Sequence, residues 1–121
     1  MMGKMEMIKW VWCTFQFEAF HSWAEAPEGV TFLKNKHRHL FKCKVWVEVE
    51  HNDRDIEFIL LKRDCERLVN KLTKNNVGSC EMLAELFLKQ LSQKYKGRGM
   101  MAEVSEDGEN GALIEMLEAD L

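Results

Sequence analysis

The chain has 121 residues, of which 46% are apolar and 31% are charged, with one proline. This length supports one hydrophobic core, so we expect a single globular domain over residues 1–121 and exclude disordered and collagen-like chains. The net charge of −3 argues against a nucleic-acid-binding protein, because such proteins usually have a basic surplus. No run of residues approaches the ~20 apolar positions that cross a bilayer, so we predict no membrane partner.

Four cysteines, Cys13, Cys43, Cys65 and Cys80, form no CxxC pair. The apolar run at residues 10–15 is too short for a secretory signal and is followed by polar residues. We therefore expect a cytoplasmic protein whose reduced cysteines are mainly small core residues. For Cys80 a second interpretation remains open, which is a reactive thiol at the start of a helix.

The first half of the chain predicts two strands. Residues 10–18 alternate between bulky apolar and polar side chains, and a loop follows at about residues 22–36. Residues 40–50 predict the clearest strand, with Phe41, Cys43 and three valines on one face. Trp46 interrupts the polar face, which suggests that both faces are covered, in one interpretation by another subunit.

The second half predicts two helices and a hairpin. After a turn at residues 51–53 and a short apolar run at residues 56–60, apolar residues with helical spacing predict a helix over residues 61–72. Ser79 is a plausible N-cap for a second helix, which we expect to end at Gly97. Residues 100–106 and 112–117 then predict a hairpin. The order β-β-α-α-β-β indicates an α+β protein with an antiparallel sheet.

Three histidines predict a metal site. His37 and His39 are two residues apart on the second strand, so both imidazoles point to one face. If the first two strands pair antiparallel, His21 at the end of the first strand arrives beside them. Three imidazoles suit zinc and leave its fourth position open to a ligand. Ordinary surface or core histidines are the alternative. His51 lies roughly 40 Å beyond His39 at strand rise, which excludes it.

Five segments, in order along the chain, match motifs that occur together in one enzyme family. They are FQFEAFH at residues 15–21 for F-x-F-x-A-x-H, HRH at 37–39 for H-G-H, IEF and LK at 56–62 for V-D-F-x-x-L-K, SCEMLA at 79–84 for P-T-x-E-x-L-A, and VSE at 104–106 for V-x-E. The chain thus resembles the 6-pyruvoyltetrahydropterin synthase and 6-carboxytetrahydropterin synthase family over residues 10–116.

The resemblance implies a tunnelling fold, in which β-β-α-α-β-β subunits close into a barrel as homo-oligomers, commonly hexamers. It implies zinc on His21, His37 and His39, and a pterin or purine-like ligand whose ring is anchored by Glu106. A carboxylate that faces the ring's paired N–H donors makes two charge-assisted hydrogen bonds. Near that ring it implies contacts from Ser79 and Cys80.

The chain departs from the family pattern at the residues that move protons. Leu33 occupies the position of the catalytic cysteine, and the Asp-His pair that precedes the second helix has no counterpart. General acid–base groups contribute roughly 10²–10⁴-fold to a rate, so their loss would cripple the usual reaction. Arg38 replaces the central glycine of H-G-H; with Lys34 and Lys36 it reaches either a phosphate tail or solvent.

Three functional hypotheses follow from these residues. The first is a zinc-dependent lyase of the 6-pyruvoyltetrahydropterin synthase type that acts on a pterin or purine-derived compound with altered acid–base residues. The second is a non-catalytic binder that sequesters a pterin-like or nucleotide-like ligand. The third is a structural oligomer without a ligand. The missing cysteine and Asp-His pair favour the second hypothesis over the first.

Overall fold

The computed structural model describes residues 5–117 and contains four strands and two α-helices. This arrangement confirms the α+β class and the predicted β-β-α-α-β-β order. The elements are β1 (Lys9–His21), a 3₁₀ turn (Thr31–Lys34), β2 (His37–Val49), α1 (Phe58–Asn70), α2 (Cys80–Ser92), β3 (Met100–Glu106) and β4 (Asn110–Met116).

The four strands form one antiparallel sheet in the order β1-β2-β3-β4. The strands extend beyond the alternating segments at residues 10–18 and 40–50, because β1 reaches His21 and β2 begins at His37, where the histidine argument placed them. The alternation of apolar and polar residues alone does not show these strand ends. At this end of the sheet the inward positions hold histidines, which do not follow a hydrophobic pattern, although the backbone pairing continues.

Both helices pack on one face of the sheet, α1 over β1 and α2 over β3 and β4. Phe87 of α2 meets Phe15 edge-to-face, with ring centroids 5.3 Å apart, and Phe17 at 6.4 Å. Phe41 stacks on Phe17 at 5.5 Å. Large rings in these offset and perpendicular arrangements fill the layer between helices and sheet, so the core ends where the aromatic residues give way to histidines.

The opposite face of the sheet is covered by no helix in the described chain. We call it the open face, and it includes Trp12, Trp46, Met101 and Leu113, which the strand registers place in neighbouring rows. The ammonium group of Lys44 lies 4.1 Å from the ring centre of Trp12 and 4.7 Å from that of Trp46. Trp12 and Leu113 nevertheless remain 52% and 56% exposed.

The helix boundaries differ from the sequence prediction at two points. α1 starts at Phe58, inside the apolar run, because the Glu57 side chain accepts the Ile59 N–H at 2.7 Å and caps the helix. α2 ends at Ser92 rather than near Gly97. Its predicted N-cap is confirmed, since the Ser79 hydroxyl accepts the Met82 N–H at 3.1 Å. Within residues 5–117 no helix combines the length and apolar character that crossing a bilayer requires.

Backbone hydrogen bonds from the linker between α1 and α2 hold the histidine end of the sheet. The Phe20 N–H donates to the Lys74 carbonyl, and the Val77 N–H donates to the Phe20 carbonyl, both at 2.8 Å. These bonds hold the linker between α1 and α2 alongside the last residues of β1. The linker therefore reaches the start of α2 directly beside His21.

Candidate metal centre

Strand register brings the three predicted histidines together. His21 pairs directly with His37 across β1 and β2, and His39 lies two residues further along the same face. Their ring centroids are 4.6 to 5.2 Å apart. One ligand atom from each imidazole lies within 4.8 Å of the other two, so these three residues form a group that can hold a metal ion.

Backbone carbonyls orient two of the imidazoles. His21 Nδ1 lies 3.1 Å from the Gly78 carbonyl oxygen, and His37 Nδ1 lies 2.7 Å from the Asn35 carbonyl oxygen. A carbonyl only accepts hydrogen bonds, so each Nδ1 must bear the proton. In the neutral ring this leaves the lone pair on Nε2, which is then the nitrogen available to bind a metal ion.

A carboxylate orients the third imidazole. His39 Nδ1 donates to Asp107 Oδ2 at 2.8 Å, while Asp107 Oδ1 accepts the Leu40 N–H at 2.9 Å. The hydrogen bond from His39, with help from the one from Leu40, lowers the pKa of Asp107 and keeps it ionised. A histidine that donates its other ring nitrogen to a carboxylate is the usual outer-shell arrangement at zinc sites.

The resulting Nε2 atoms fit a metal ion. Those of His37 and His39 are buried and have no hydrogen-bond partner among the described residues. A buried polar atom without a partner costs free energy, so two adjacent ones indicate a partner of another kind. Neutral imidazole nitrogens are good ligands for zinc and for other divalent transition metals. The geometry thus defines a candidate three-histidine metal centre.

Glu106 lies against this centre. It is the last residue of β3 and pairs with Phe41 of β2, so its side chain points to the same face as the histidines. Its Oε2 atom is 3.0 Å from His21 Nε2 and 3.6 Å from His39 Nε2. The sequence resemblance assigned this carboxylate to a ligand ring, and the structure places it beside the candidate metal ligands.

A pocket of about 600 Å³ opens beside these residues. Its volume is in the range of small-molecule sites. His21, His37 and Glu106 contribute to one part of the wall, and the linker and first turn of α2 contribute to another. The pocket lining also includes Trp23, Leu33, Ser79, Cys80, Glu81, Met82 and Asn110.

Ser79 and Cys80, to which the resemblance assigns contacts near the ligand ring, both line the pocket. The Ser79 hydroxyl caps α2 by accepting a backbone N–H. Burial, followed by the negative charge of Glu106, raises the pKa of Cys80 to about 11. This thiol is therefore protonated at neutral pH, which favours an unreactive core cysteine over a reactive thiol at the start of a helix.

The cationic residues near the histidines point elsewhere. Arg38 lies between the two inward-facing histidines of β2, so its side chain is on the opposite face, where it pairs with Glu18 at 3.1 Å. Lys36 donates to the Asn75 side chain at 2.6 Å. Neither residue lines the pocket, and Arg38 is not in position to contact a ligand held there.

Sequence analysis missed two acidic residues at the site. Asp107 follows the strand predicted over residues 100–106, and its place at the site depends on the pairing of β2 with β3, which brings it beside His39. Glu81 lies in the first turn of α2, and the sequence analysis included it only within the SCEMLA segment. It lines the pocket, where it is a carboxylate additional to Glu106.

No protein-family model matches this sequence, and a search of curated proteins gives no significant match. Assignment of the site therefore depends on its own geometry. The fold and the convergent imidazoles define the class as a small α+β protein with a candidate three-histidine metal centre in a ligand-sized pocket.

Proposed function

We propose that this chain is a zinc-binding protein of the 6-pyruvoyltetrahydropterin synthase type that acts on a pterin or purine-derived small molecule. One observation carries the proposal: three imidazoles, each with Nδ1 bonded to an acceptor, form a group that can hold a metal ion, and His21 and His37 of this group line a pocket. The resemblance of residues 10–116 to that synthase family supplies the ligand class.

His21, His37 and His39 would hold the zinc. When bound, zinc supplies Lewis-acid polarisation of a hydroxyl or carbonyl oxygen on the ligand. Glu106 accepts hydrogen bonds from the donor edge of the ring, which is the role that the resemblance assigns to it. Trp23 and Met82 line the same pocket and offer apolar surface to a flat ring. Glu81 supplies a further carboxylate on the pocket wall that can accept a proton.

The direct test is an assay of the purified, zinc-loaded chain with dihydroneopterin triphosphate. A pterin product, lost in His39→Ala, would support an enzyme of this type. Elemental analysis and mass spectrometry of co-purified small molecules report the metal and the ligand in the same preparation. No product, under conditions in which a control synthase is active, would exclude the family's standard reaction.

A non-catalytic binder is the second candidate function, and Leu33 favours it. This residue lines the pocket at the position of the family's catalytic cysteine, and a leucine side chain transfers no proton. Calorimetry with a panel of pterins and purine nucleotides would test this candidate, with Glu106→Ala as the binding variant. Glu103→Ala is the matched control, because Glu103 is exposed and lies on the same strand but on the open face.

We also propose that the chain is a cytoplasmic homo-oligomer, a hexamer by resemblance. The four cysteines are free and buried, which is consistent with a reducing compartment. The edge strands β1 and β4 present unpaired backbone groups that a second subunit can complete. Trp12 and Leu113 on the open face add exposed apolar surface that assembly would cover.

A further inference from the structure

We infer that Glu106 is a fourth ligand of the metal while the pocket contains no small molecule. The inference rests on the zinc site of the proposed function. It differs from that site in one respect: without a small molecule, the metal has three histidines and one carboxylate as ligands and no open position. Ligand entry would then move Glu106 from the metal to the donor edge of the ring.

The first argument concerns the atoms that face Glu106. Gly78 accepts from His21 Nδ1 and Asp107 accepts from His39 Nδ1, so in its neutral form each ring presents the Nε2 lone pair to the carboxylate. At 3.0 Å and 3.6 Å these atoms need either a proton or a metal ion between them, and a metal ion can serve both contacts at once. One metal ion that binds the Nε2 atoms would also neutralise the carboxylate.

The second argument concerns distance. Ligand atoms about 2.0–2.1 Å from a tetrahedral zinc are about 3.3 Å from one another. The separations of Glu106 Oε2 from the two Nε2 atoms, 3.0 Å and 3.6 Å, lie on either side of this value. The carboxylate oxygen is therefore spaced from His21 and His39 as a neighbouring zinc ligand would be.

The third argument concerns freedom to move. The Glu106 side chain is 30% exposed, whereas those of His21 and His39 are 12% and 20% exposed. His21 and His39 are each also held by a hydrogen bond from Nδ1. Glu106 lines the pocket that a ring would enter. Of these ligands, the carboxylate is the one that a pocket ligand can displace.

This assignment changes what the metal does before a ligand arrives. Four-coordinate zinc with only protein ligands is closed, whereas three protein ligands leave a position for water or substrate. With Glu106 bound, water is kept off the metal. Only a molecule with donor groups that compete for the carboxylate would open the fourth position, so Glu106 would couple ligand recognition to metal access.

The test compares metal binding by the unaltered chain, Glu106→Gln, Glu106→Asp and Glu103→Gln. Zinc affinity is measured by chelator competition, and coordination by the visible spectrum of the Co²⁺-substituted protein. We expect Glu106→Gln and Glu106→Asp each to weaken zinc binding at least tenfold and to change the Co²⁺ spectrum. Glu103→Gln, which removes the same charge from the open face, should leave both unchanged. The aspartate variant keeps the charge but shortens the side chain, so it separates ligation from simple attraction.

Imidazole serves as a probe of the fourth position. It should change the Co²⁺ spectrum of Glu106→Gln at a concentration about tenfold lower than it needs with the unaltered chain. Equal zinc affinities and superimposable spectra in all four proteins would overturn the inference and leave the three-histidine site standing. If the unaltered chain bound neither zinc nor Co²⁺, the proposed function would fail as well. Urea unfolding of the metal-free proteins checks that the variants fold.

Discussion

At the residue scale, the orientation of the three histidines depends on groups that are not metal ligands. Gly78 and Asn35 supply carbonyl oxygens, and Asp107 supplies a carboxylate. Of these three acceptors, only the Asp107 carboxylate can be removed by a conservative substitution, because the other two are backbone carbonyls. Asp107 adopts a positive φ of 59°, a conformation that asparagine and aspartate tolerate better than most residues.

We expect Asp107→Asn to weaken zinc binding by about 10- to 100-fold, the usual cost of losing an outer-shell partner. The amide oxygen can still accept the Leu40 N–H, but the NH₂ group then faces His39 Nδ1 and cannot accept its proton. Chelator competition measures the change. Asp53→Asn is the control, because Asp53 is exposed and its side chain pairs only with its neighbour Arg54 in the described structure. Equal affinity in both variants would contradict a positioning role for Asp107.

Sequence reasoning reached the ligands but not their partners. His37 and His39 share a face whenever residues 37–39 are extended, so period-2 geometry suffices to predict them. Asp107 comes 68 residues after His39, and no local pattern links the two positions. A backbone carbonyl such as that of Gly78 has no signature in the sequence at all, since every residue has one.

At the element scale, β4 closes one wall of the pocket through a glycine that approaches β3 closely. Gly111 pairs with Ser105. A Cβ at this position would collide with the Val104 carbonyl oxygen and would lie 2.7 Å from Ser105 Cα. Both contacts are with backbone atoms, which cannot give way without moving the strand pair.

We expect Gly111→Ala to lower the free energy of unfolding by about 1–3 kcal/mol, the usual cost of overpacking. Urea unfolding monitored by tryptophan fluorescence measures it. Gly99→Ala is the matched control, because its Cβ would meet only side chains, at 3.3 Å from Glu48 Oε1 and 3.6 Å from the Trp10 ring. A smaller loss in Gly111→Ala than in Gly99→Ala would show that β4 adjusts without strain.

Asp64, a buried carboxylate of α1, joins this helix to the segment that follows α2. It accepts hydrogen bonds from Tyr95 at 2.6 Å, from Arg67 at 2.6 Å and from Lys94 at 3.0 Å. Burial acts to raise the pKa of Asp64, but the three hydrogen bonds outweigh it and the pKa is lowered. The ionised carboxylate therefore ties the segment after α2 to α1.

We expect Tyr95→Phe to cost about 1–2 kcal/mol of unfolding free energy at pH 7, since it removes a hydrogen bond to a charged, buried group. A lowered folded-state pKa gives stability that is complete above the unfolded value, about 3.9, and is lost as the pH falls through the folded value. The difference between the two proteins should therefore shrink below about pH 4. Unfolding curves from pH 7 to pH 2.5 measure it, and a constant difference would contradict the assignment.

At the scale of the whole molecule, metal binding at the candidate centre would be linked to folding. The three ligands come from β1 and β2, and the groups that orient them come from the loops after α1 and β3 and from the loop before β2. These parts are assembled only in the folded state. A metal that binds the folded chain therefore stabilises all of them together.

We expect zinc at 100 times its Kd to raise the free energy of unfolding by about 2.7 kcal/mol. The thermal midpoint should rise on adding zinc and return on adding a chelator. His37→Ala removes one ligand and should abolish the rise, whereas His51→Ala should keep it, because His51 lies in an exposed turn at the other end of β2. An equal rise in both variants would place the metal elsewhere.

Assembly is the second property at this scale. Edge strands and an exposed apolar face are liabilities in a monomer, and association covers both. We expect light scattering to give a mass several times the 14.2 kDa of one chain. Trp12→Lys, which places a charge on the open face, should lower that mass or raise the protein concentration below which the assembly dissociates. A monomer at all concentrations would contradict the proposed homo-oligomer.

The sequence alone predicted the element order, the antiparallel sheet and the three candidate metal ligands. The element order and the shared face of His37 and His39 follow from local periodicities, which are 2 along a strand and 3.6 along a helix. His21 joins them only through the antiparallel pairing of β1 with β2. The apolar pattern stops short of these strand ends, because the inward residues near the site are histidines.

Only the tertiary structure decided which groups accept hydrogen bonds from the histidine Nδ1 atoms, and where Glu106 lies. The register of β2 with β3 and the path of the linker after α1 place Asp107 and Gly78 beside imidazoles that are far away in sequence. Arg38, a neighbour of both β2 histidines in the chain, is directed to the opposite face by the same pleat. Contacts between distant residues depend on register and loop path, and neither is encoded in a local pattern.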